Sequence, residues 1–278
     1  MGTYSRTIME LDRDADLYPP YLRSRLRRGL GVGSPTAYRP WRNIQNAGTR
    51  GTAGCVHGIR IDRRYEILDE RARTYFFLLE RVPTIINIRE SWPIVDINST
   101  LRLSYKFGVN HPKHDIFPEP ITVDFLITEM GPEGPEYRAA ALAADTQRLS
   151  IKNQRLKEVA RQWCNDHGIG WTLVDTSQLD RTVLDSLRFI RGWYRHRYVP
   201  DPVTAERFAK FFMNHYPSSL VLNELVELAR KNMRLRPDTA LDVFRYCAWS
   251  RLIPISLTGH IAVIRRSSNT LRTAIIRW

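Results

Sequence analysis

The stretch ITVDFLIT, residues 121–128, decides how this chain is read. β-Branched and apolar residues favour a half-buried strand, and Asp124 interrupts them in the middle. An aspartate is disfavoured inside a strand, and burying its charge costs free energy unless a metal ion or a basic group compensates it. Arg89 is one such basic group within reach of the reading. Downstream, MGPEGP (130–135) predicts a turn and EYRAAALAA (136–144) a second strand, so 121–144 is expected as a hairpin. Upstream, ILDERARTYFFLLE (67–80) has apolar residues on one broad face and predicts a helix carrying a second acid, Glu70. By itself Glu70 reads equally as a solvated helix acid. A helix acid, a strand acid and a hairpin together form the frame of a metal-dependent nuclease, because carboxylates are the hard oxygen ligands that hold magnesium or manganese.

Around this frame, TIINIRESWPI (84–94) predicts a strand and STLRLSYKFGV (99–109) a short helix ended by Gly108. SIKNQRLKEVARQWCNDHG (150–168) predicts a helix with a glycine stop, and IGWTLVDT (169–176) a further strand. The result is a mixed sheet with helices packed against it. LDRTVLDSLRFIRGWYRHRY (179–198) predicts one long helix, stopped by VPDP (199–202), with a domain boundary within 180–202. Three helical segments follow, at 203–215, 218–232 and 237–250, and then two short strands around Thr258-Gly259 within 251–266. That outline predicts a winged-helix module, with a plain helical bundle as the alternative.

The 278 residues carry 42 basic and 29 acidic side chains, a net charge of +13. Residues 1–50 hold nine basic residues against four acidic, and 201–278 hold twelve against six, whereas the long middle is nearly neutral. Basic ends around a neutral centre suit a polyanion held at its ends while chemistry occurs between them. No apolar stretch approaches a membrane span. Three widely spaced cysteines, Cys55, Cys164 and Cys247, form neither a disulfide framework nor a paired-cysteine zinc site, and they fit a reducing cytoplasm. The segment YLRSRLRRGLGVGSP (21–35) reads as a flexible basic arm that orders on DNA or a partner, through Arg23, Arg25, Arg27 and Arg28. Its GLGVG (29–33) neither follows a strand nor opens a helix, which excludes a dinucleotide fingerprint. His111, His114 and Asp115 lack a second ligand pair for zinc and read as a structural turn. Trp92, Trp163 and Trp171 read as core. Lys231, Arg234 and Arg236 before the last helix, with Arg265 and Arg266 after the strands, are expected to reach DNA phosphates.

Several ordered motifs within residues 65–175 resemble the TnsA endonuclease subunits of heteromeric, Tn-seven-type cut-and-paste transposases. They are YEILDERARTYFFLLE, VPTIINIRESWPI, KFGVNHP (106–112) and ITVDFLIT. The resemblance implies a restriction-endonuclease-like, PD-(D/E)xK domain at 61–180, behind a basic arm at 1–60. A linker helix and winged helix follow at 181–278. It implies Glu70 and Asp124 as catalytic acids and ligands of magnesium, with manganese as a substitute. It further implies double-stranded DNA at transposon ends, a DDE-type transposase subunit and an AAA+ ATPase regulator as partners, with cleavage of the 5′, non-transferred strand.

The family's third element, a lysine on the second hairpin strand, falls at Ala143, and the glutamine two residues earlier falls at Ala141. Alanine has neither donor nor charge, so impaired or absent cleavage is expected, and a lysine restored at 143 is expected to raise it. An active-site variant that traps uncleaved DNA and a lineage that lost or relocated its lysine both read this way. Lys152 is the nearest candidate for relocation. The alternative of a different class is a non-catalytic scaffold that docks transposase and ATPase on DNA. A stand-alone nuclease is a third reading.

Overall fold

The computed structural model describes residues 18–45, 52–216 and 221–258, which fall into two compact units divided after Gln178. The first unit is built on a four-stranded sheet in the order β3-β6-β7-β8, formed by Ile85–Ile94, Ile121–Gly131, Gly134–Ala143 and Gly170–Asp175. β3, β6 and β7 run antiparallel in turn, and β8 lies parallel to β7, so the sheet is mixed. Pro132 and Glu133 alone separate β6 from β7, with Gly134 at φ +123 taking the turn conformation open to glycine.

Helices flank this sheet. α2 (Glu70–Glu80) buries Tyr75, Phe76, Phe77, Leu78 and Leu79, and Phe76 and Tyr75 pack on Phe125 of β6. α3 (Ile97–Lys106) is capped by Asp96, and α4 (Ile151–Asp166) by Ser150. Val159, Ala160, Trp163 and Cys164 of α4 join Trp92, Val123, Leu126 and Ala139 of the sheet in one core. Trp92 and Trp163 are thus core side chains, and Trp171 packs partly buried against them. A two-stranded ribbon, β1 (Gly54–His57) with β2 (Arg64–Ile67), and a smaller one, β4 (Lys113–His114) with β5 (Phe117–Pro118), complete the unit.

Two expectations about this unit change. The helix expected from residue 67 starts at Glu70, because Ile67 ends β2 and Asp69 adopts an extended backbone, its side chain accepting the Ala72 N–H. The segment expected to be flexible carries α1 (Pro20–Arg27) and is packed. Leu22, Leu26 and Leu30, spaced one helical turn apart among the arginines, are buried with Val32, Trp41 and Ile97. Gly31, at φ +77, lies so close to β3 that an added Cβ would sit 2.3 Å from Pro93 Cγ. The arginine content masks this helix in the sequence, since the apolar face is a single narrow stripe.

In the second unit, the helix expected over 179–198 is interrupted. α5 (Arg181–Ile190) ends at Arg191 and α6 (Gly192–Arg195) restarts at Gly192, whose missing side chain leaves room for Arg245 Nε, 3.0 Å from where a Cβ would stand. α7 (Pro202–His215), α8 (Leu222–Met233) and α9 (Pro237–Trp249) follow the three expected segments and bury Phe208, Phe212, Leu225, Val243, Phe244 and Cys247. Residues 251–258 form turns and no strand, and the remainder of the expected wing, with Arg265 and Arg266, lies outside the described residues. Among the described residues no helix is long and apolar enough to cross a membrane.

Candidate active site

Asp124 stands where the sheet opens. The β6–β7 ladder runs from Gly131↔Gly134 to Phe125↔Ala140 and stops there, one residue short of Asp124. On its other side, β3 and β6 are in register at Glu90↔Phe125 and at Trp92↔Val123, with no pair between Ser91 and Asp124. Ser91 has φ 45, a left-handed conformation that costs a non-glycine residue energy and clusters at functional sites. The Asp124 carboxylate fills the gap: its Oδ2 accepts the Leu142 N–H at 2.6 Å, a bond the parted strands no longer supply. The strand acid is therefore held by the backbone of the neighbouring strand. Arg89, the basic partner that its charge suggested for Asp124, instead donates to Gly33 O at 2.9 Å.

A cleft of about 250 Å³ opens in front of Asp124. Asp69, Glu66, Glu90, Ser91 and Arg42 line it together with Asp124 and apolar neighbours. Glu70, the first residue of α2, is not among the lining residues; its neighbour Asp69 is. Position along the helix start explains this. The N-cap residue turns back over the first turn, and its carboxylate already points to the exposed N–H groups.

Charge in the cleft is crowded. Asp124 is reached by solvent but ringed by protein, and this desolvation pushes its pKa up. The Leu142 N–H, Lys157 and Arg42 oppose that rise, while the nearby charge of Asp69 adds to it. Glu90 is buried and its pKa is also raised by burial, against the pull of Arg63. Arg63 Nη1 donates to Glu90 Oε1 at 2.9 Å, its Nη2 donates to Oε2, and the Glu66 N–H donates to Oε1 at 3.1 Å. The Arg63 guanidinium stacks 3.5 Å from the Tyr65 ring centre. Glu90 is thus committed to a structural pair, and Glu66 Oε2 accepts the Ile44 N–H at 3.0 Å. Glu66, Asp69 and Asp124 each accept one backbone N–H, and of the other lining acids it is Asp69 whose charge is felt at Asp124 across the open cleft.

The position at which the lysine of the second hairpin strand was expected is apolar and closed. Ala143 is 4% exposed, and its carbonyl accepts both the N–H and the hydroxyl of Thr176. A cation reaches the neighbouring residue from α4: Lys157 Nζ donates to Leu142 O at 2.9 Å, and burial lowers its pKa against the pull of Asp124. Lys152 stands exposed at the first turn of the same helix. Sequence reading missed Lys157, yet it lies three residues before Ala160 and seven before Cys164, both buried, which places it on the sheet-facing side of α4.

The other expected contacts separate by role. Arg25 Nη1 pairs with Glu119 and its guanidinium lies 4.0 Å over the Trp41 ring, so it locks α1 down instead of facing solvent. Arg23 Nε donates to Tyr18 O and Arg28 Nε to Ser24 O, and Arg27 sits in the last turn of α1. Lys231 is 3.9 Å from Glu227, Arg234 ends α8 in a left-handed conformation, and Arg236 is the N-cap of α9. His111 is held by Thr100 Oγ1 at 3.0 Å and Pro112 O at 2.9 Å, a structural turn, while His114 and Asp115 are exposed. Among the described residues no three His, Cys, Asp or Glu side chains gather as a ready-made metal cage.

A central mixed sheet flanked by helices, with an acid placed where two strands part, fits a nuclease-like fold. The chain is 22% identical over 238 residues to the Transposon Tn7 transposition protein TnsA of Escherichia coli, covering 85% of this chain and 83% of that protein. This distant likeness supports a TnsA-like relationship and a role related to a transposition endonuclease. No family model matches the chain.

Proposed function

We propose that the chain is the endonuclease subunit of a transposition machine, cutting the 5′, non-transferred strand at the ends of a transposon by metal-assisted hydrolysis. The observation that carries this reading is Asp124, anchored on Leu142 N–H in an open cleft and facing the charge of Asp69. Two repelling carboxylates in one cleft fit a divalent cation, whose charge relieves the repulsion. Magnesium commonly takes one or two protein carboxylates and completes its shell with water and phosphate oxygens, so a cage of three side chains is not required. Asp124 and Asp69 would hold it; the resemblance assigns the second place to Glu70, one residue on.

When bound, the metal supplies an activated water and neutralises charge on the scissile phosphate. The chain's own residues fix the geometry of attack. Asp124 is immobilised by a backbone donor, and Asp69 by the start of α2. In the reaction, a water oxygen bonds to phosphorus and one phosphoester bond breaks. The water gives up a proton to solvent, and the departing oxygen takes one up. DNA at transposon ends, a DDE-type transposase and an AAA+ regulator are the partners in this reading, with the basic side chains Lys231, Arg234 and Arg236 as phosphate contacts.

The test is strand-specific nicking of a transposon-end duplex by the chain with its partner transposase and magnesium. Wild type cuts and Asp124→Asn does not. One observation favours a scaffold without catalysis: the alanine at 143, closed off from the cleft. In that case Asp124→Asn supports assembly and transposition as well as wild type does.

A further inference from the structure

Within the endonuclease reading, we propose that Lys157 of α4, which does not line the cleft but stands behind Asp124 at Leu142, is the catalytic cation here, contacting the scissile phosphate in place of a lysine on β7. β7 itself has no cation to offer at this end. Its one basic residue, Arg138, lies opposite Ile127, well down the hairpin, and associates with Glu129. At the end where Asp124 stands, β7 reads Ala139-Ala140-Ala141-Leu142-Ala143. Helix α4 closes over that end, its Val159, Ala160 and Trp163 sharing a core with Ala139 and Val123. From there Lys157 reaches the strand, its Nζ 2.9 Å from Leu142 O.

Leu142 is also the residue whose N–H holds Asp124 Oδ2 at 2.6 Å. The acid and the ammonium are therefore fixed to the two polar backbone groups of one residue, at the point where β6 and β7 part. An ammonium carries three donors, and the Leu142 carbonyl takes one. Among the described residues no acceptor claims the other two, which can meet a phosphate oxygen and a water. A surface lysine does not need this arrangement. Part-burying a long flexible side chain costs rotamer freedom and hydration, which a purely solvated charge avoids. Lys152, five residues earlier on the helix, begins about 7.5 Å further along its axis and is exposed. Arg42 lines the cleft from the N-terminal segment and also acts on the charge of Asp124, so it is the rival cation.

The experiment separates the positive charge of Lys157 from its hydrogen bond to Leu142. Single-turnover nicking of a 5′-labelled transposon-end duplex is measured for the full chain with its partner transposase and magnesium. Duplex affinity is measured in calcium and melting temperature in parallel. Lys157→Gln keeps a donor for Leu142 O but has no charge; Lys157→Arg keeps both. Loss of one preorganised electrostatic contact slows chemistry by about 100- to 1,000-fold. Lys157→Gln is therefore expected to fall by that factor with duplex affinity within about threefold, Lys157→Arg to recover most of the rate, and Lys152→Gln to match wild type. Nicking by Lys157→Gln at the wild-type rate overturns the assignment and leaves the endonuclease reading standing. So does an equal loss in Gln and Arg variants that also melt early, which makes the residue structural. So does a loss confined to Arg42→Met. A wild-type complex that never nicks removes the endonuclease reading and this assignment with it.

Discussion

Asp124 and Lys157 meet at one residue: the carboxylate takes the N–H of Leu142 and the ammonium donates to its carbonyl. This double anchor replaces the strand pairing that β6 and β7 abandon beyond Phe125 and Ala140. It places opposite charges at a sheet opening where one of them, Asp124, is held against the cost of desolvation.

That cost makes a stability prediction with a definite sign. The folded pKa of Asp124 is raised above its ordinary value near 3.8, so folding favours the protonated acid. The penalty for ionising it is absent below the unfolded pKa and grows as pH rises through the folded one. Asp124→Asn, which keeps an acceptor for Leu142, is expected to melt above wild type at pH 7 and to lose that advantage as pH falls below the ordinary carboxylate range. A thermal melt series across pH checks it, and a variant less stable than wild type at neutral pH contradicts the account.

Magnesium gives an independent readout at the same acids. A ligand that binds only the folded state raises the melting temperature with concentration. Wild type is expected to show this rise in millimolar magnesium, and Asp124→Asn to show none.

Asp69 and Glu70 divide by chemistry. Asparagine caps a helix about as well as aspartate, so Asp69→Asn is expected to keep α2 intact while losing the magnesium-induced shift. Asp69→Ala should lose the cap as well, at about 1 kcal/mol. Calorimetric titration of magnesium distinguishes the neighbours: unchanged binding in Asp69→Asn, with loss in Glu70→Gln, returns the role to Glu70.

Arg63 and Glu90 form a buried pair beneath the cleft, with side chains 4% and 2% exposed. Removing one partner strands a buried charge, at about 3–5 kcal/mol. Arg63→Met is expected to lower the denaturation midpoint by a corresponding amount in a urea titration. A loss below about 1 kcal/mol would mean that Glu90 takes up a proton at little expense.

Gly31→Ala tests whether the N-terminal segment belongs to the fold. The new Cβ would meet Pro93 at 2.3 Å, and φ +77 disfavours any side chain. Overpacking of this kind costs about 1–3 kcal/mol. Faster limited proteolysis within 20–41, with the rest of the first unit resistant, is the expected pattern.

How much is legible in the sequence follows the range of the signals. The hairpin at 121–144, the helix at 150–168 and the three C-terminal helices are written in local periodicity, and the structure places β6, β7, α4 and α7 to α9 close to those bounds. The segment at 21–35 reads as a flexible arm because its eight residues of helix show only two buried leucines among three arginines, and part of the core that covers them, Trp41 and Ile97, comes from elsewhere. The start of α2 reads three residues early because apolar Ile67 and Leu68 continue the helical pattern, whereas pairing with β1 claims Ile67 for a strand.

Local sequence alone fixes a charged residue inside an apolar strand, a helix upstream that carries a second acid, and the lack of a lysine on the strand that follows. Alternation, capping residues and turn chemistry act over a few neighbours and need nothing more. Which acids share the cleft with Asp124, and which cation stands behind it, follow from the packing of segments far apart in the chain. Arg42, Asp69, Asp124 and Lys157 belong to a loop, a helix cap, a strand and a helix, and no local rule relates their directions. They converge because two strands part at Asp124 and the core holds α4 across the gap.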